Sequence, residues 1–171
     1  MCMNTIKIFL ASSCELAYER MIIGDKIRQA DDEWRAKGVR LQLMVWEDYR
    51  PEFLGVRTQT EYDEYLVNES QIVIGLFKNR CGKYTQEEIV NAIKASAGDK
   101  GKLPVAIYLE KGSLLLNNSQ KISNALANFG VFTIEYGTMN DVKTNLLIYR
   151  KRAYLYCIRR KSRYSTVGYP L

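Results

Sequence analysis

Gln71-Ile72-Val73-Ile74-Gly75-Leu76-Phe77 is the stretch that decides the fold, because nearly all of it is apolar. A run of this kind is typical of a central parallel strand that is buried on both faces of a sheet. The next residues, Lys78 to Lys83, predict a loop. A helix is expected after it, with Thr85 as N-cap and Glu88 at the third position of a Thr-x-x-Glu capping box. A buried strand followed by a helix is the repeating unit of a parallel α/β sheet.

Similar strand–helix units are predicted on both sides of this one. Apolar stretches predict four further strands, and helical patterns with glycine stops at Gly38 and Gly130 predict the helices between them. The predicted strands are Ile6–Ala11, Val39–Trp46, Gln71–Phe77, Leu103–Leu109 and Val131–Tyr136, and the predicted helices are Ser12–Lys37, Thr58–Glu69, the one beginning near Thr85, Ser119–Phe129 and Asn140–Arg160. Five such units predict an α/β domain with a flavodoxin-like, doubly wound, five-stranded parallel sheet and helices on both faces.

The composition excludes several kinds of chemistry. The 171 residues contain no histidine, so Ser-His-Asp and Cys-His nucleophile systems, histidine general bases and histidine metal sites are excluded. The four cysteines show no Cys-x-x-Cys spacing, and no metal site is predicted. The turn after the first strand lacks glycine and no Walker loop is present, which argues against Rossmann and P-loop nucleotide folds. Any chemistry must rest on carboxylates, hydroxyls, arginines and the backbone.

The net charge of +6 is concentrated near the C-terminus. Seven basic residues follow position 149, whereas residues 1–149 carry 18 basic and 19 acidic side chains. The body of the domain is nearly neutral, so nucleic acid is not expected as a partner. We interpret 1–171 as a single domain in which 150–171 form a basic helical extension or linker. The chain has no signal peptide and no apolar run near the ~18 residues of a membrane span, so we expect a cytoplasmic protein without a membrane partner.

Four motifs, taken in chain order, resemble a bacterial Toll/interleukin-1 receptor (TIR) domain. They are Ile8-Phe9-Leu10-Ala11-Ser12-Ser13, Val45-Trp46-Glu47-Asp48, Arg57-Thr58-Gln59-Thr60-Glu61-Tyr62 and Gly82-Lys83-Tyr84-Thr85-Gln86-Glu87-Glu88 with Ala92. The resemblance spans about residues 5 to 148 and is closest to the TIR-like modules of bacterial antiphage defence proteins. It implies the TIR version of the flavodoxin-like fold. It also implies a sensor domain as partner, either fused or separate.

In that family the catalytic glutamate lies early in the helix after the third strand, in a Trp-x-x-x-Glu motif that reads Tyr84-Thr85-Gln86-Glu87-Glu88 here. The tyrosine still supplies an aromatic surface. Adjacent helical residues point about 100° apart, so Glu87 and Glu88 cannot both face one cleft. The spacing from Tyr84 and the Glu-Ile-Val-x-Ala-Ile pattern favour Glu88. Its competing interpretation is the capping box, in which the carboxylate only accepts a backbone N–H.

The resemblance implies cleavage of the nicotinamide N-glycosidic bond of NAD, with NAD as substrate and no separate cofactor. Departure of neutral nicotinamide passes through an oxocarbenium-like transition state, which a carboxylate near the ribose stabilises. Capture by water gives ADP-ribose, and capture by a ribose or adenine group gives a cyclic isomer. The expected class is therefore an NAD nucleosidase, either a glycohydrolase or an ADP-ribosyl cyclase, in bacterial immune defence.

Six further residues are candidates for binding the substrate, namely Ser12, Ser13, Trp46, Arg57, Lys83 and Tyr84. The two serines could contact a phosphate or ribose, or simply cap the first helix. Trp46 could stack on a base or belong to the core. Arg57 could pair with the pyrophosphate or form a surface salt bridge with Glu61. Lys83 is a further phosphate candidate.

The loop after the second strand, which is called the BB loop in the family, is expected to mediate assembly. It runs from Glu47 to Val56 and carries Tyr49, Phe53 and Leu54, whose apolar groups suit docking against a second copy. We therefore expect a homo-oligomer whose activity depends on assembly. Two alternatives remain open. One is a non-catalytic TIR-like adaptor, and the other is an enzyme like nucleoside 2-deoxyribosyltransferase, which has a similar sheet and also uses a glutamate on a sugar.

Overall fold

The computed structural model describes residues 3–45, 69–98, 104–131 and 133–143. Its strands are β1 (Asn4–Ser12), β2 (Val39–Met44), β3 (Ile72–Phe77), β4 (Val105–Glu110) and β5 (Thr133–Tyr136). Its helices are α1 (Ala17–Arg35), which follows a 3-10 turn at Cys14–Leu16, then α2 (Lys83–Gly98), α3 (Leu115–Asn118) and α4 (Gln120–Phe129). Residues 139–143 are also helical.

The five strands form one parallel sheet in the order β2-β1-β3-β4-β5. This is the flavodoxin-like order, so the predicted fold class is confirmed. The chain moves outward from β1 to β2 and then returns to the other side of β1 at β3. Neighbouring strands are in register near their carboxyl ends, where Ser12 lies opposite Leu76.

Each face of the sheet is covered by helices, and each has its own apolar core. On one face, α1 packs Ile23, Ile27 and Trp34 against strand residues that include Ile6, Ile8 and Leu10. On the other face, α2 and α4 pack against alternate residues of the same strands; this second core contains Phe9, Ala11, Val73, Phe77, Ile89, Ala92, Ile93, Ile107, Ile122 and Leu126. Because successive strand residues point to opposite faces, the all-buried β3 contributes to both cores.

Gly75 determines how closely α2 approaches the sheet. A Cβ at this position would lie 2.8 Å from Phe77 Cε2 and 2.9 Å from both Ile89 Cδ1 and Ile107 Cδ1. The side chain of Ile89 therefore occupies space that any other residue at position 75 would need. The glycine in the middle of the fold-deciding strand is what allows the first turns of α2 to lie directly on β3.

Strand β2 lies at one edge of the sheet and is tied to α1 by a side chain. The buried Asp31 of α1 accepts the backbone N–H of Leu41 at 2.6 Å through Oδ1, and accepts Nε of Arg35 at 2.8 Å through Oδ2. A carboxylate can accept several hydrogen bonds, so one buried acid satisfies both groups. The end of α1 is thereby fixed against the edge strand.

Several predicted element ends agree with the structure. Gly130 closes α4 with a φ of 65°, and Gly38 has a φ of 73° just after α1, as expected for helix stops. Two predicted caps are wrong. Helix α2 begins at Lys83, with the N–H of Gln86 donating to Gly82 O at 2.9 Å, so Thr85 lies inside the helix and is not its N-cap.

The second wrong cap concerns the serines after β1. Ser12 is the last residue of the strand, and Ser13 precedes the 3-10 turn but its side chain makes no cap hydrogen bond. The predicted helix at 58–69, apart from the helical Glu69, and the basic extension at 150–171 lie outside the described residues. No helix in the described part of the chain is long and apolar enough to cross a membrane.

Candidate functional site

The sheet order places a candidate site at the carboxyl ends of β1 and β3, which we call the β1–β3 edge. The segment after β1 leads into α1 on one face, and the segment after β3 leads into α2 on the other. In open α/β sheets, ligands bind outside the carboxyl ends of the strands where the winding direction reverses, because the two loops diverge there. Polar side chains at this edge are therefore the ones to consider.

Glu88 is a buried carboxylate on the second turn of α2. It is only 8% exposed, whereas Glu87 is partly exposed. Its position is five residues into the helix, or roughly 7.5 Å along the axis from the end that adjoins the sheet edge. Ile89, Ala92 and Ile93 on the same helix are fully buried in the core beneath it. The packing of these three residues therefore fixes the part of α2 that carries Glu88 against the core.

Cys81 lies close enough to Glu88 for the charge of Glu88 to affect the pKa of its thiol. Burial, and to a smaller extent the nearby negative charge of Glu88, raise the pKa of the Cys81 thiol to about 12. The thiol donates to Gly82 O at 3.5 Å and is fully protonated at neutral pH. Cys81 is therefore unsuited to act as a nucleophile, since only the thiolate attacks readily.

Tyr84 lies one helical turn before Glu88, on the same side of α2, since residues four apart are neighbours on a helix. Its side chain is 63% exposed and Lys83 is exposed at the first position of the helix. This side of α2 therefore changes from solvent at Tyr84 to burial at Glu88. An exposed aromatic ring beside a buried carboxylate is available to contact a ligand or a neighbouring molecule.

Ser12 and Ser13 lie on the opposite side of the edge and are both buried. Nη1 of Arg20, on the first turn of α1, donates to Ser12 Oγ at 3.0 Å and to Ser13 O at 2.7 Å. Arg20 is itself only 7% exposed. Among the residues the structure describes, Ser13 Oγ has no hydrogen-bond partner.

Lys78 forms ion pairs beside the carboxyl ends of β3 and β4, and a tyrosine hydroxyl lies at the end of β5. Lys78 Nζ, directly after β3, lies 2.7 Å from Glu19 Oε1 and 4.0 Å from Glu110 Oε1 at the end of β4. Tyr136, at the end of β5, donates its hydroxyl to Phe77 O at 3.3 Å. Burial raises the pKa of Tyr136, and the charges of Glu110 and Glu19 raise it further. The phenol therefore stays neutral at physiological pH.

No family model matches this sequence, and no curated protein matches it. Two solved structures are similar to the chain at low identity. One contains the TIR domains of the activated Roq1 resistosome that directly recognises the pathogen effector XopQ, with 15% identity over 86% of this chain and 81% of that chain, and a TM-score of 0.43. The other is an oxidoreductase from Corynebacterium diphtheriae, with 16% identity over 78% of this chain and 79% of that chain, and a TM-score of 0.43. These two proteins have different descriptions, and neither similarity assigns a function to this chain.

Five of the predicted site residues lie on elements that adjoin the β1–β3 edge: Ser12 at the end of β1, Ser13 directly after it, and Lys83, Tyr84 and Glu88 on α2. The other predicted residues, Trp46, Arg57, Tyr49, Phe53 and Leu54, lie outside the described residues. Within the described ranges, no group of three or more cysteine, aspartate and glutamate side chains is arranged to hold a metal ion.

Three charged residues at this edge are absent from the prediction made from the sequence. They are Glu19, Arg20 and Lys78. A signal for Arg20 does exist in the sequence, because it occupies a position on the buried stripe of α1; the buried positions of that stripe are Leu16, Arg20, Ile23, Ile27, Asp31 and Trp34, at spacings of three and four. A charged residue on an apolar stripe indicates a buried polar contact. Lys78 carries no such local signal, since it follows a strand in a loop.

Proposed function

We propose that this chain is a TIR-like domain that cleaves the nicotinamide N-glycosidic bond of NAD, with Glu88 as the catalytic carboxylate. The observation that carries the proposal is that α2, the helix that follows β3, holds the carboxylate of Glu88 next to core residues, so that it is only 8% exposed. A carboxylate held in this way can stabilise positive charge on a bound ribose.

The proposed reaction breaks one bond to the ribose and forms another. The bond between C1′ of the ribose and the pyridinium nitrogen breaks, and its electron pair neutralises the departing nicotinamide. Glu88 stabilises the positive charge that develops on the ribose. Water, or a hydroxyl or nitrogen of the same molecule, then forms the new bond to C1′ and releases a proton. Water gives ADP-ribose, and an internal group gives a cyclic isomer.

The biological setting forms part of the same proposal. We place the domain in bacterial immune defence in the cytoplasm, as a homo-oligomer that assembles through the BB loop residues Tyr49, Phe53 and Leu54 and responds to a fused or separate sensor. Trp46 and Arg57 would complete the substrate site from the segment after β2. The exposed ring of Tyr84 and the exposed Lys83 fit contacts with substrate at the same edge.

The decisive experiment compares two adjacent glutamates. Concentrated wild-type protein, Glu88→Gln and Glu87→Gln are incubated with NAD in a crowding agent, and nicotinamide release is followed by chromatography. We expect Glu88→Gln to lower the rate by roughly a hundredfold or more, because a charge that stabilises the transition state is lost. Glu87→Gln should stay within a few-fold of wild type, and it serves as the control because it removes the same charge one residue away.

Two results would contradict the proposal. If wild type releases no nicotinamide at any concentration, the adaptor alternative is favoured. If the wild-type protein releases bases from deoxynucleosides but leaves NAD intact, the deoxyribosyltransferase alternative is favoured. Thermal unfolding of each variant shows whether a loss of activity reflects a loss of folding. Glutamine has nearly the same shape as glutamate, so both variants should fold like wild type.

A further inference from the structure

The turn formed by Ser12 and Ser13 is held in place by one buried cation. Nη1 of Arg20 donates to both Ser12 Oγ and Ser13 O, so a single nitrogen fixes the side chain of one serine and the backbone of the next. Burying a guanidinium costs free energy unless its N–H groups are bonded. The charge of Arg20 also acts on the neighbouring Glu19, whose pKa it helps to lower. The contact between Arg20 and the two serines is therefore part of the buried structure of the domain.

The hydroxyl of Ser13 takes no part in the hydrogen bonds from Arg20. Ser13 is 9% exposed, and its backbone oxygen accepts both Arg20 Nη1 and the N–H of Leu16, at 2.7 and 3.1 Å. Its Oγ makes no cap bond to the 3-10 turn that follows and finds no partner among the described residues. A buried hydroxyl without a partner costs free energy, which a ligand oxygen would recover after rotation about χ1.

We infer that Arg20 is a positioning residue of the proposed site, which fixes the Ser12–Ser13 turn so that the Ser13 hydroxyl donates to a pyrophosphate oxygen of the substrate. A phosphate is favoured because the two serines lead, through the 3-10 turn Cys14–Leu16, into the amino-terminal end of α1, where the helix dipole favours anions. The positive charge of Arg20 acts in the same direction. The inference rests on the proposed function, since it takes NAD as the ligand.

The test is a double-mutant cycle on the NAD-cleaving protein. The kcat and KM for NAD are measured for wild type, Arg20→Met, Ser13→Ala and the double variant, with Arg20→Lys as a conservative change. We expect each single change to raise KM about tenfold with kcat nearly unchanged, because binding of the pyrophosphate does not change in the transition state. The double variant should be no worse than either single one, since Arg20 acts through Ser13. Arg20→Lys should recover part of the affinity.

Two controls separate positioning from a purely structural role. Arg28→Met removes an arginine from the same helix that is 74% exposed and pairs only at the surface with Asp25, so it should leave KM unchanged. Inhibition by ADP-ribose, which contains the pyrophosphate, should weaken in parallel with KM in Arg20→Met and Ser13→Ala. Inhibition by nicotinamide, which lacks it, should not change.

The outcomes distinguish this inference from the proposed function. An active wild-type protein whose KM is unaffected by Arg20→Met, or in which the effects of Arg20 and Ser13 simply add, overturns the inference and leaves the proposed function standing. An equal weakening of ADP-ribose and nicotinamide inhibition also overturns it. If Arg20→Met does not fold, Arg20→Lys combined with Ser13→Ala provides the same cycle. A wild-type protein that never cleaves NAD overturns both proposals.

Discussion

Single ion pairs decide how the β1–β3 edge responds to pH. Burial acts to raise the pKa of Glu19, but the hydrogen bond from Lys78, a backbone hydrogen bond and the charges of Lys78 and Arg20 outweigh it and hold the pKa below its ordinary value of 4.5. The hydrogen bond to Glu19 raises the pKa of Lys78. A carboxyl with a lowered pKa stabilises the folded state above its unfolded pKa, and this stability is lost as the pH falls through the folded value.

Replacement of Lys78 by methionine should therefore destabilise the protein in a pH-dependent way. Lys78→Met should lower the free energy of unfolding at pH 7 by about 1 kcal/mol, a modest value because Lys78 is 34% exposed and solvent screens the pair. The difference from wild type should shrink as the pH falls below 4.5 and through the lowered pKa of Glu19, because wild type then also loses the ion pair that the variant lacks. Urea unfolding at pH 7, 5 and 3.5 measures this, with the exposed Lys121→Met as control. A difference that stays constant with pH would contradict the assignment of the effect to Glu19.

Residues of the candidate site differ in how far the sequence predicts them. Glu88 is proposed from its motif, and the structure adds that Thr85 is not the N-cap of α2, because the helix begins at Lys83, three residues before the Gln86 that a Thr85 cap would require. Arg20 can be found from the apolar stripe of α1. The pairing of Glu19 with Lys78 cannot, since the two residues are far apart in sequence and meet only because β1 and β3 are neighbours in the sheet.

Helix α2 is the element that carries the proposed chemistry, and its position depends on the glycine beneath it. Strand β3 was predictable from its apolar run, and α2 from the periodicity that follows. The close contact between β3 and α2 could not be predicted, because it depends on side chains from three elements that meet above Gly75. The predicted start of α2 was wrong, because Thr85, a residue with good capping chemistry, lies inside a helix that begins at Lys83.

Substitution of Gly75 tests this contact. Gly75→Ala should lower the free energy of unfolding by about 1–3 kcal/mol, because the added Cβ would overlap Phe77, Ile89 and Ile107. Activity should fall by more than stability predicts, since a shift of Ile89 displaces the adjacent Glu88. Gly24→Ala is the matched control: its Cβ meets Leu43 Cδ2 only at 3.4 Å, and it should stabilise α1 by up to about 1 kcal/mol. Equal effects of the two changes in thermal unfolding would argue against a tight contact at Gly75.

On the scale of the whole molecule, the sheet order and the two-sided arrangement of helices followed directly from the alternation of strands and helices in the sequence. Parallel strands require crossovers of one hand, which leaves few possible topologies. The assembly of several copies cannot be inferred in the same way. Its predicted residues lie in 47–56, and the residue types of a predicted loop do not by themselves specify what covers it.

The proposed assembly leads to a prediction that does not depend on which residues bind the substrate. If the domain acts as a homo-oligomer, NAD cleavage per molecule should increase with protein concentration, and Phe53→Asp combined with Leu54→Asp should suppress the increase by placing charges in an apolar contact. Nicotinamide release over a range of concentrations, with light scattering for the mass of the particles, measures both quantities. A constant rate per molecule from particles of 19.8 kDa would show that the monomer is sufficient.

The bond from Leu41 to Asp31 has a consequence for how such particles can grow. An edge strand with free N–H groups invites another strand to pair with it, which is a route to uncontrolled aggregation. The carboxylate of Asp31 already occupies the outward N–H of Leu41, in the middle of β2. An incoming strand would have to displace a buried acid that is also bonded to Arg35. If the domain self-associates as proposed, the bond to Asp31 disfavours strand pairing at this position of β2, so that contacts between copies should be made by side chains.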